Sequence, residues 1–331
     1  MATHRRVVVA VDVGGTTIKG AVFDAEGAGL SDLAVATPPG ADATLAAVRK
    51  AVRTLVSGRR DRVEAVGVVV PGTVDAAAGV VGFSANLGWR ELPLVEVLQA
   101  DAGVPVRLEH DVRAAGLAER TVGCTVGVDD YLLAVIGTGI SGEVRVAGRT
   151  VLGAGAAAGE FGHAPIWPDG EPCPCGQRGC LERYASAAAI SRRYAERQRT
   201  AVLESAGAIA GRRDYDPIAR EVWAEAIEAL AIAFASYTMV LDPAMIVIAG
   251  GLSGAGDALL APLLVALAER VVWRDPPALR LSPLGHRGGL IGAALTAWAA
   301  VGRSSAGVGD LGQPAGRVRI GAPLERQSQG Q

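Results

Sequence analysis

The sequence predicts an α/β fold of two related lobes facing a cleft, and three observations carry that expectation. First, a run of apolar residues, VVVAV at 7–11, ends at Asp12 and a glycine turn, and a returning strand runs through Ile18 to Phe23. Second, the pattern restarts at 131–136 (YLLAVI), turns at Gly137-Thr138-Gly139 and returns over 143–146, as two copies of one structural unit do. Third, such strands alternate with stretches of helical periodicity, the pattern of an α/β domain. At 331 residues with 50% hydrophobic side chains, the chain can bury a core in each lobe.

Between the first and second strand pairs, Asp42 or Thr44 can cap a helix whose Leu45, Val48, Val52, Leu55 and Val56 recur at helical spacing. A strand over 63–70 is closed by Pro71-Gly72. A loop with Asn86 and Trp89 leads to a helix over 92–101, and a strand over 104–109 delivers His110 and Asp111 at its carboxyl end. A helix over 112–120 follows. In the second half, Trp223, Ile227, Leu230, Phe234, Tyr237 and Leu241 stripe a long helix stopped by Asp242-Pro243. A strand over 245–249 ends at Gly250-Gly251 and feeds a helix around Leu259, Leu263 and Leu267. An Ala-rich helix spans 289–300, and residues 303–331, rich in Gly, Ser, Gln and Arg without periodicity, read as a disordered tail. The expected division is an N-terminal lobe over 1–117, with the last helix, about 289–302, packing back on it, and a C-terminal lobe over 118–288.

The stretch 159–182, GEFGHAPIWPDGEPCPCGQRGCLE, interrupts the second lobe and holds three of the chain's four cysteines. One imidazole and three thiolates make a closed set for zinc, so His163, Cys173, Cys175 and Cys180 are the candidate ligands. The alternative is a Pro/Gly-rich surface loop, with or without a disulfide cross-link. Glu160 and Glu182 flank the knot, and a rigid metal site would fix both carboxylates as acceptors for a polyol. Without such a ligand they are simply solvated loop acids.

Each glycine turn, at 14–15, 137–139 and 250–251, follows an apolar strand, where successive backbone N–H groups can form an anion site suited to nucleotide phosphates. Any one of them alone is more often a hairpin. Asp12 adds a carboxylate for Mg²⁺ beside phosphates. Lys19, one of two lysines among 32 basic residues, is either a phosphate contact or a solvated hairpin residue. Phosphoryl transfer then requires a group to take the acceptor's proton, and Asp111 at a strand end is placed for it. An N-cap role for Asp111 is compatible with that.

The formal net charge of −2 gives no reason to expect a nucleic-acid partner. The N-terminus lacks the apolar length of a signal peptide, and no uncharged apolar run reaches the roughly 18 residues of a membrane span. A cytoplasmic setting follows as the expectation, where reduced thiols favour metal over disulfides.

These motifs together resemble the ROK (repressor, open reading frame, kinase) family of sugar kinases, within the actin-like (ribonuclease H-like) ATPase fold, over nearly the whole chain to about Ala300. DVGGTTIKGAVFD is similar to the family's first phosphate loop, which implies Asp12, Gly14, Gly15, Thr16, Thr17 and Lys19 at the nucleotide. VPGTVD with SANLGW is similar to its sugar loop, implying contacts from Gly72 and Asn86. EHDVRAAGLAE resembles the base motif and implies Asp111 as general base, and GTGISGE resembles the second phosphate loop, with Gly137, Thr138 and Gly139. GEFGH…CPCGQRGCLE resembles the zinc and sugar motif, implying sugar contacts from Glu160, His163 and Glu182. IAGGLSGAGD resembles the adenosine-side motif and places Gly250 and Gly251 near the nucleotide. The implied activity is transfer from ATP, with Mg²⁺ and a structural Zn²⁺, to the 6-hydroxyl of glucose or another hexose, in a homodimer.

The chain departs from the family at several positions. His110 stands where the family usually has Asn, and Arg113 also replaces an Asn. Ser141 and Glu143 stand where glycine is usual, and Glu143 would repel phosphate unless it is directed away. A neutral imidazole can accept from an ammonium group, so His110 suggests a glucose altered at C3, such as kanosamine (3-amino-3-deoxyglucose), an amino sugar of antibiotic biosynthesis. The rival from another class is a sugar-sensing regulator, whose DNA-binding segment would precede the first strand, where six residues stand before Val7. Other hexoses or N-acetylhexosamines are alternative acceptors, and polyphosphate is an alternative donor.

Overall fold

The computed structural model describes residues 5–57, 62–155 and 157–302; the tail expectation for 303–331 falls outside the described residues. The first half runs β1 (Arg6–Val13), β2 (Thr17–Asp24), β3 (Gly29–Ala36), α1 (Ala41–Val56) and β4 (Arg62–Val70). It continues with β5 (Thr73–Asp75), β6 (Val80–Ser84), β7 (Trp89–Leu92), α2 (Leu94–Ala102), β8 (Val106–His110) and α3 (Asp111–Val122). The second half has β9 (Tyr131–Ile136), β10 (Ile140–Val146), β11 (Arg149–Thr150), α4 (Glu182–Ala185), α5 (Ala187–Gln198), α6 (Ala206–Arg212) and α7 (Pro217–Leu241). β12 (Met245–Ala249), α8 (Asp257–Ala268), β13 (Ala278–Leu281) and α9 (Gly288–Ala300) complete it.

The two halves repeat one topology. The sheets are ordered β3-β2-β1-β4-β8 and β11-β10-β9-β12-β13. In each, an antiparallel hairpin leads from the first strand, and two further strands add parallel to it on the other side. A third, small sheet, β5-β6-β7, stands after β4.

β1 is apolar from Val7 to Val11 because both of its faces are covered. Val7, Val9, Val11 and Val13 pack with Val48 and Val52 of α1 and Leu94 and Leu98 of α2. Val8 and Ala10, on the opposite face, pack with Ala293, Ala297 and Trp298 of α9. The last helix, though distant in sequence, thus closes the first sheet. In the second half α7 is the central helix, with Trp223, Ile227, Leu230 and Phe234 in a core shared with β9 and β12. α7 is long and apolar enough to span a membrane by composition, and half of that window is buried inside the protein. Asp216 caps it, accepting from the N–H groups of Ile218 and Ala219 ahead of Pro217 at the first turn.

Several local expectations are corrected. Neither Asp42 nor Thr44 caps α1: Gly40 is the N-cap, and the Thr44 hydroxyl donates to the Pro38 carbonyl. Asp42 lies in the first turn, where a carboxylate still complements the helix dipole. Trp89 opens strand β7 rather than lying in a loop, and the helix after it begins at Leu94, with Pro93 at its N-cap. β3 gave no signal in the sequence because it is a mostly exposed edge strand, without the buried alternation that marks β1.

Candidate active site

β1 and β8 both run parallel to β4, so their carboxyl ends emerge on one edge of the first sheet, where α/β folds place ligands. That topology brings Asp12, near the end of β1, close enough to Asp111, at the start of α3, for the two carboxylates to interact. Burial pushes Asp12 up to about 6; the neighbouring Asp111 charge adds to this and Lys19 opposes it. Burial likewise raises Asp111 to about 6, against the Val112 N–H donated to its Oδ1 at 2.8 Å and the Arg113 charge. Asp111 still keeps 32% of its side chain exposed, so a ligand can reach it. The start of α9 stands against this pair: a Cβ on Gly289 would lie 3.0 Å from Asp12 Oδ2. Lys19 faces Asp12 across the β1–β2 register, and its Nζ donates to the His286 carbonyl at 3.3 Å.

His110 ends β8 beside Asp111, with Nδ1 3.4 Å from Asp111 Oδ1 and without a hydrogen-bond partner. Burial holds its pKa down at about 4; Arg113 adds to this, while Glu160 and Glu109 oppose it, so the imidazole is neutral at pH 7. Glu109 Oε1 organises the corner, accepting from the His110 backbone N–H and from Arg113 Nε, both at 2.8 Å. The charge of Glu160, from the second half of the chain, thus acts on His110.

The first glycine turn is closed by Gly14 N–H donating to the Thr17 carbonyl at 3.0 Å, while the Thr37 hydroxyl donates to the Gly14 carbonyl at 2.6 Å. Thr16 accepts the Thr37 N–H, and Thr17 opens β2. Asn86 lies over this turn, its Cβ 3.3 Å from where a Gly15 side chain would begin. Gly72 (φ +107) fits beneath the same segment, where a Cβ would lie 2.2 Å from the Phe83 carbonyl oxygen, so only glycine is accommodated. Gly250 packs against the Ile136 carbonyl, which sets the third turn, with Gly251 beside it, next to the second.

His163, Cys173, Cys175 and Cys180 converge, with one ligand atom from each lying within 4.8 Å of all the others. Cys175 Sγ is 3.7 Å from Cys180 Sγ, and Cys173 Sγ is 3.9 Å from His163 Nδ1. A tetrahedral ion with Zn–S bonds of about 2.3 Å needs ligand separations of about 3.8 Å, so the four residues fit zinc. All the cysteines are free thiols, which removes the disulfide alternative. The knot is anchored from behind by Tyr237 of α7, whose hydroxyl donates to the Phe161 carbonyl at 3.0 Å.

Glu182, two residues beyond Cys180, is drawn toward the second glycine turn. Its Oε2 accepts the Ile140 N–H at 2.8 Å, and the Ala187 N–H donates to the Gly137 carbonyl at 2.8 Å. Gly137 and Gly139 close the turn around Thr138 through a 2.9 Å backbone bond. Glu143 is directed away from it. It is 2% exposed, accepts from the Thr150 hydroxyl and the Arg120 guanidinium, and lies under Gly116 of α3. Glu143 thus meets the condition under which it would not face a phosphate at this turn.

Sequence reasoning missed Glu109, Gly289 and the Ile140 amide. A paired glycine at the head of an apolar helix was the available signal for Gly289. A backbone donor such as Ile140 leaves none.

The ROK family model matches residues 8–300. A glucokinase of Streptomyces coelicolor is 33% identical over 308 residues, covering 87% of this chain and 96% of that protein. The crystal structure of a ROK family glucokinase from Streptomyces griseus, in complex with glucose and AMPPNP, superposes with a TM-score of 0.77 at 32% identity, covering 88% of this chain and 99% of that one. A ROK family transcriptional regulator superposes with a TM-score of 0.78 at 26% identity, covering 88% of this chain and 77% of that one.

Proposed function

The chain belongs to the ROK family and is a sugar kinase, and we propose that it transfers the γ-phosphoryl group of ATP to the 6-hydroxyl of a hexose, with Asp111 as general base. The observation that supports this reading is the Asp12–Asp111 pair, which parallel strands bring to one sheet edge beside the first glycine turn and His110. As the 6-hydroxyl oxygen attacks the γ-phosphorus, its proton passes to an Asp111 oxygen and the bond to ADP breaks. Asp12 would hold Mg²⁺, whose chemistry is neutralisation of phosphate charge. The turns at Gly14 to Thr17, Gly137 to Gly139 and Gly250-Gly251 would supply backbone N–H groups to the nucleotide, with Lys19 nearby. Gly72, Asn86, His110, Glu160, His163 and Glu182 would line the sugar, His163 through the ring nitrogen left free by a structural zinc.

The same reading makes the protein a cytoplasmic homodimer of two-lobed subunits, divided near 117–118, that needs no nucleic-acid or membrane partner. ADP release on glucose, mannose, fructose, N-acetylglucosamine and N-acetylmannosamine, with the product identified by ³¹P NMR, tests it. A 6-phosphate is the expected product, and an absence of turnover on every sugar would remove the kinase and leave the sugar-sensing alternative, which the likeness to a regulator supports.

A second reading concerns the acceptor. His110 is neutral, with Nδ1 lacking a hydrogen-bond partner 3.4 Å from Asp111 Oδ1, and the charges of Glu160 and Glu109 act on it against that of Arg113. That corner suits an ammonium group, which supports a glucose carrying an amine at C3, such as kanosamine. The ratio of kcat/KM for 3-amino-3-deoxyglucose to that for glucose is expected to exceed one and to fall about tenfold in His110→Asn. Glucose turned over far faster than the amino sugar by the wild type would remove this reading and leave the kinase intact.

A further inference from the structure

We propose that Glu182 is a positioning residue for the nucleotide as well as a sugar contact, so that one carboxylate couples the two substrate sites. This rests on the sugar-kinase reading above and extends it. Three features of the segment after Cys180 carry the inference. Glu182 Oε2 accepts the Ile140 N–H at 2.8 Å, which fixes the return of the Gly137-Thr138-Gly139 turn. Five residues on, the Ala187 N–H donates to the Gly137 carbonyl at 2.8 Å, so the turn is held at both ends by one short stretch of chain. The fit between them is close, since a Cβ on Gly139 would lie 2.5 Å from Glu182 Oε2.

The stretch doing the holding is itself anchored. The Leu181 N–H donates to the Ala164 carbonyl at 2.9 Å, Cys180 belongs to the metal-ligand set, and Tyr184 packs edge-on against Trp167 of the same loop. On the other side of the turn, Gly142 N–H donates to the Gly159 carbonyl at 2.8 Å, next to Glu160. The zinc knot therefore braces the second glycine turn from both flanks. Glu182 is bound to the turn through Oε2, which leaves Oε1 for a sugar hydroxyl. A hydroxyl donated to Oε1 adds a second tie to a carboxylate already held by Ile140 and so further orders the amides around Thr138. The ordering cost is then met by the first substrate and spared for the second.

Calorimetric binding of AMPPNP with Mg²⁺, with and without saturating glucose, tests this on the wild type, Glu182→Gln and Glu182→Ala. In the wild type glucose is expected to tighten AMPPNP several-fold. Glu182→Ala, which removes the acceptor for Ile140, is expected to weaken AMPPNP about tenfold without sugar and to abolish the tightening. Glu182→Gln keeps a carbonyl oxygen for the Ile140 N–H, so sugar-free AMPPNP affinity should stay within about twofold while glucose binding weakens. Gly139→Ala displaces the same carboxylate from the turn side. Its effect combined with Glu182→Ala should be less than the sum of the two alone, because both break one contact. Unchanged sugar-free AMPPNP affinity in Glu182→Ala, with glucose weakened, would overturn the coupling and leave Glu182 a sugar contact. Failure of the wild type to bind AMPPNP or glucose would instead overturn the kinase reading on which the coupling stands.

Discussion

The environment of Asp12 and Asp111 bears on stability as well as on the proposed chemistry. Both carboxyls are raised from 3.8 to about 6, Asp12 by burial and by its neighbour's charge, Asp111 by burial. A carboxyl whose folded pKa lies above its unfolded one contributes stability that is fully present below about pH 4 and is lost as pH rises through about 6. At pH 7.5 both are therefore unfavourable to the metal-free, ligand-free fold. Asp12→Asn and Asp111→Asn should each stabilise that form by on the order of 1 kcal/mol in urea unfolding at pH 7.5, and by much less at pH 4.5. The same shift fixes the activity profile. A base must be unprotonated, so kcat/KM should climb as pH rises through about 6 and level above it, as a pH–rate series will show.

Among the elements, the zinc knot and the glycine turns are the most consequential. Cys175 is the exposed member of the candidate ligand set. Cys175→Ser, or chelation, should lower zinc content measured by atomic emission and weaken glucose by tenfold or more in calorimetry, because Glu160 and Glu182 lose their fixed positions. Sugar binding unchanged in metal-free protein would break that link. Much of this architecture was legible in the sequence. The apolar runs VVVAV, VEAVGVVV, YLLAVI and MIVIA announce buried strands, residues 104–109 a further one, and the Cys spacing announces the candidate metal set. What stayed hidden has physical reasons. β3 is an exposed edge, β13 is a strand of four residues directly following a Pro-Pro pair, and α5 and α6 are short Ala/Arg-rich helices without a strong apolar stripe. The position of Glu182 against Ile140 depends on a backbone amide 42 residues away, which no spacing rule encodes.

Across the whole molecule, the chain passes between the lobes twice, after α3 and again between β13 and α9. Glu119 of α3 ties the two crossings together: it accepts from the Ser282 hydroxyl beyond β13 and from the Cys124 N–H at 3.0 Å, and it is 1% exposed. Glu119→Ala leaves buried donors without an acceptor and should cost about 2–3 kcal/mol in urea unfolding, with the acceptor-retaining Glu119→Gln less affected. Helices α3 and α9 pack on each other, and if the proposed sugar and nucleotide bind between the two halves, closure about these crossings is the expected response. A smaller radius of gyration by X-ray scattering with glucose and AMPPNP together than with neither is the expected signature.

The most direct test of phosphoryl transfer through Asp111 is turnover of Asp111→Asn alongside calorimetric binding of the same sugar. Asparagine preserves the size of the side chain and cannot take the proton of the 6-hydroxyl. The predicted result is a loss of kcat of about 10²–10⁴-fold with sugar affinity within about threefold of the wild type. A variant that binds sugar normally and turns it over at the wild-type rate would contradict the account.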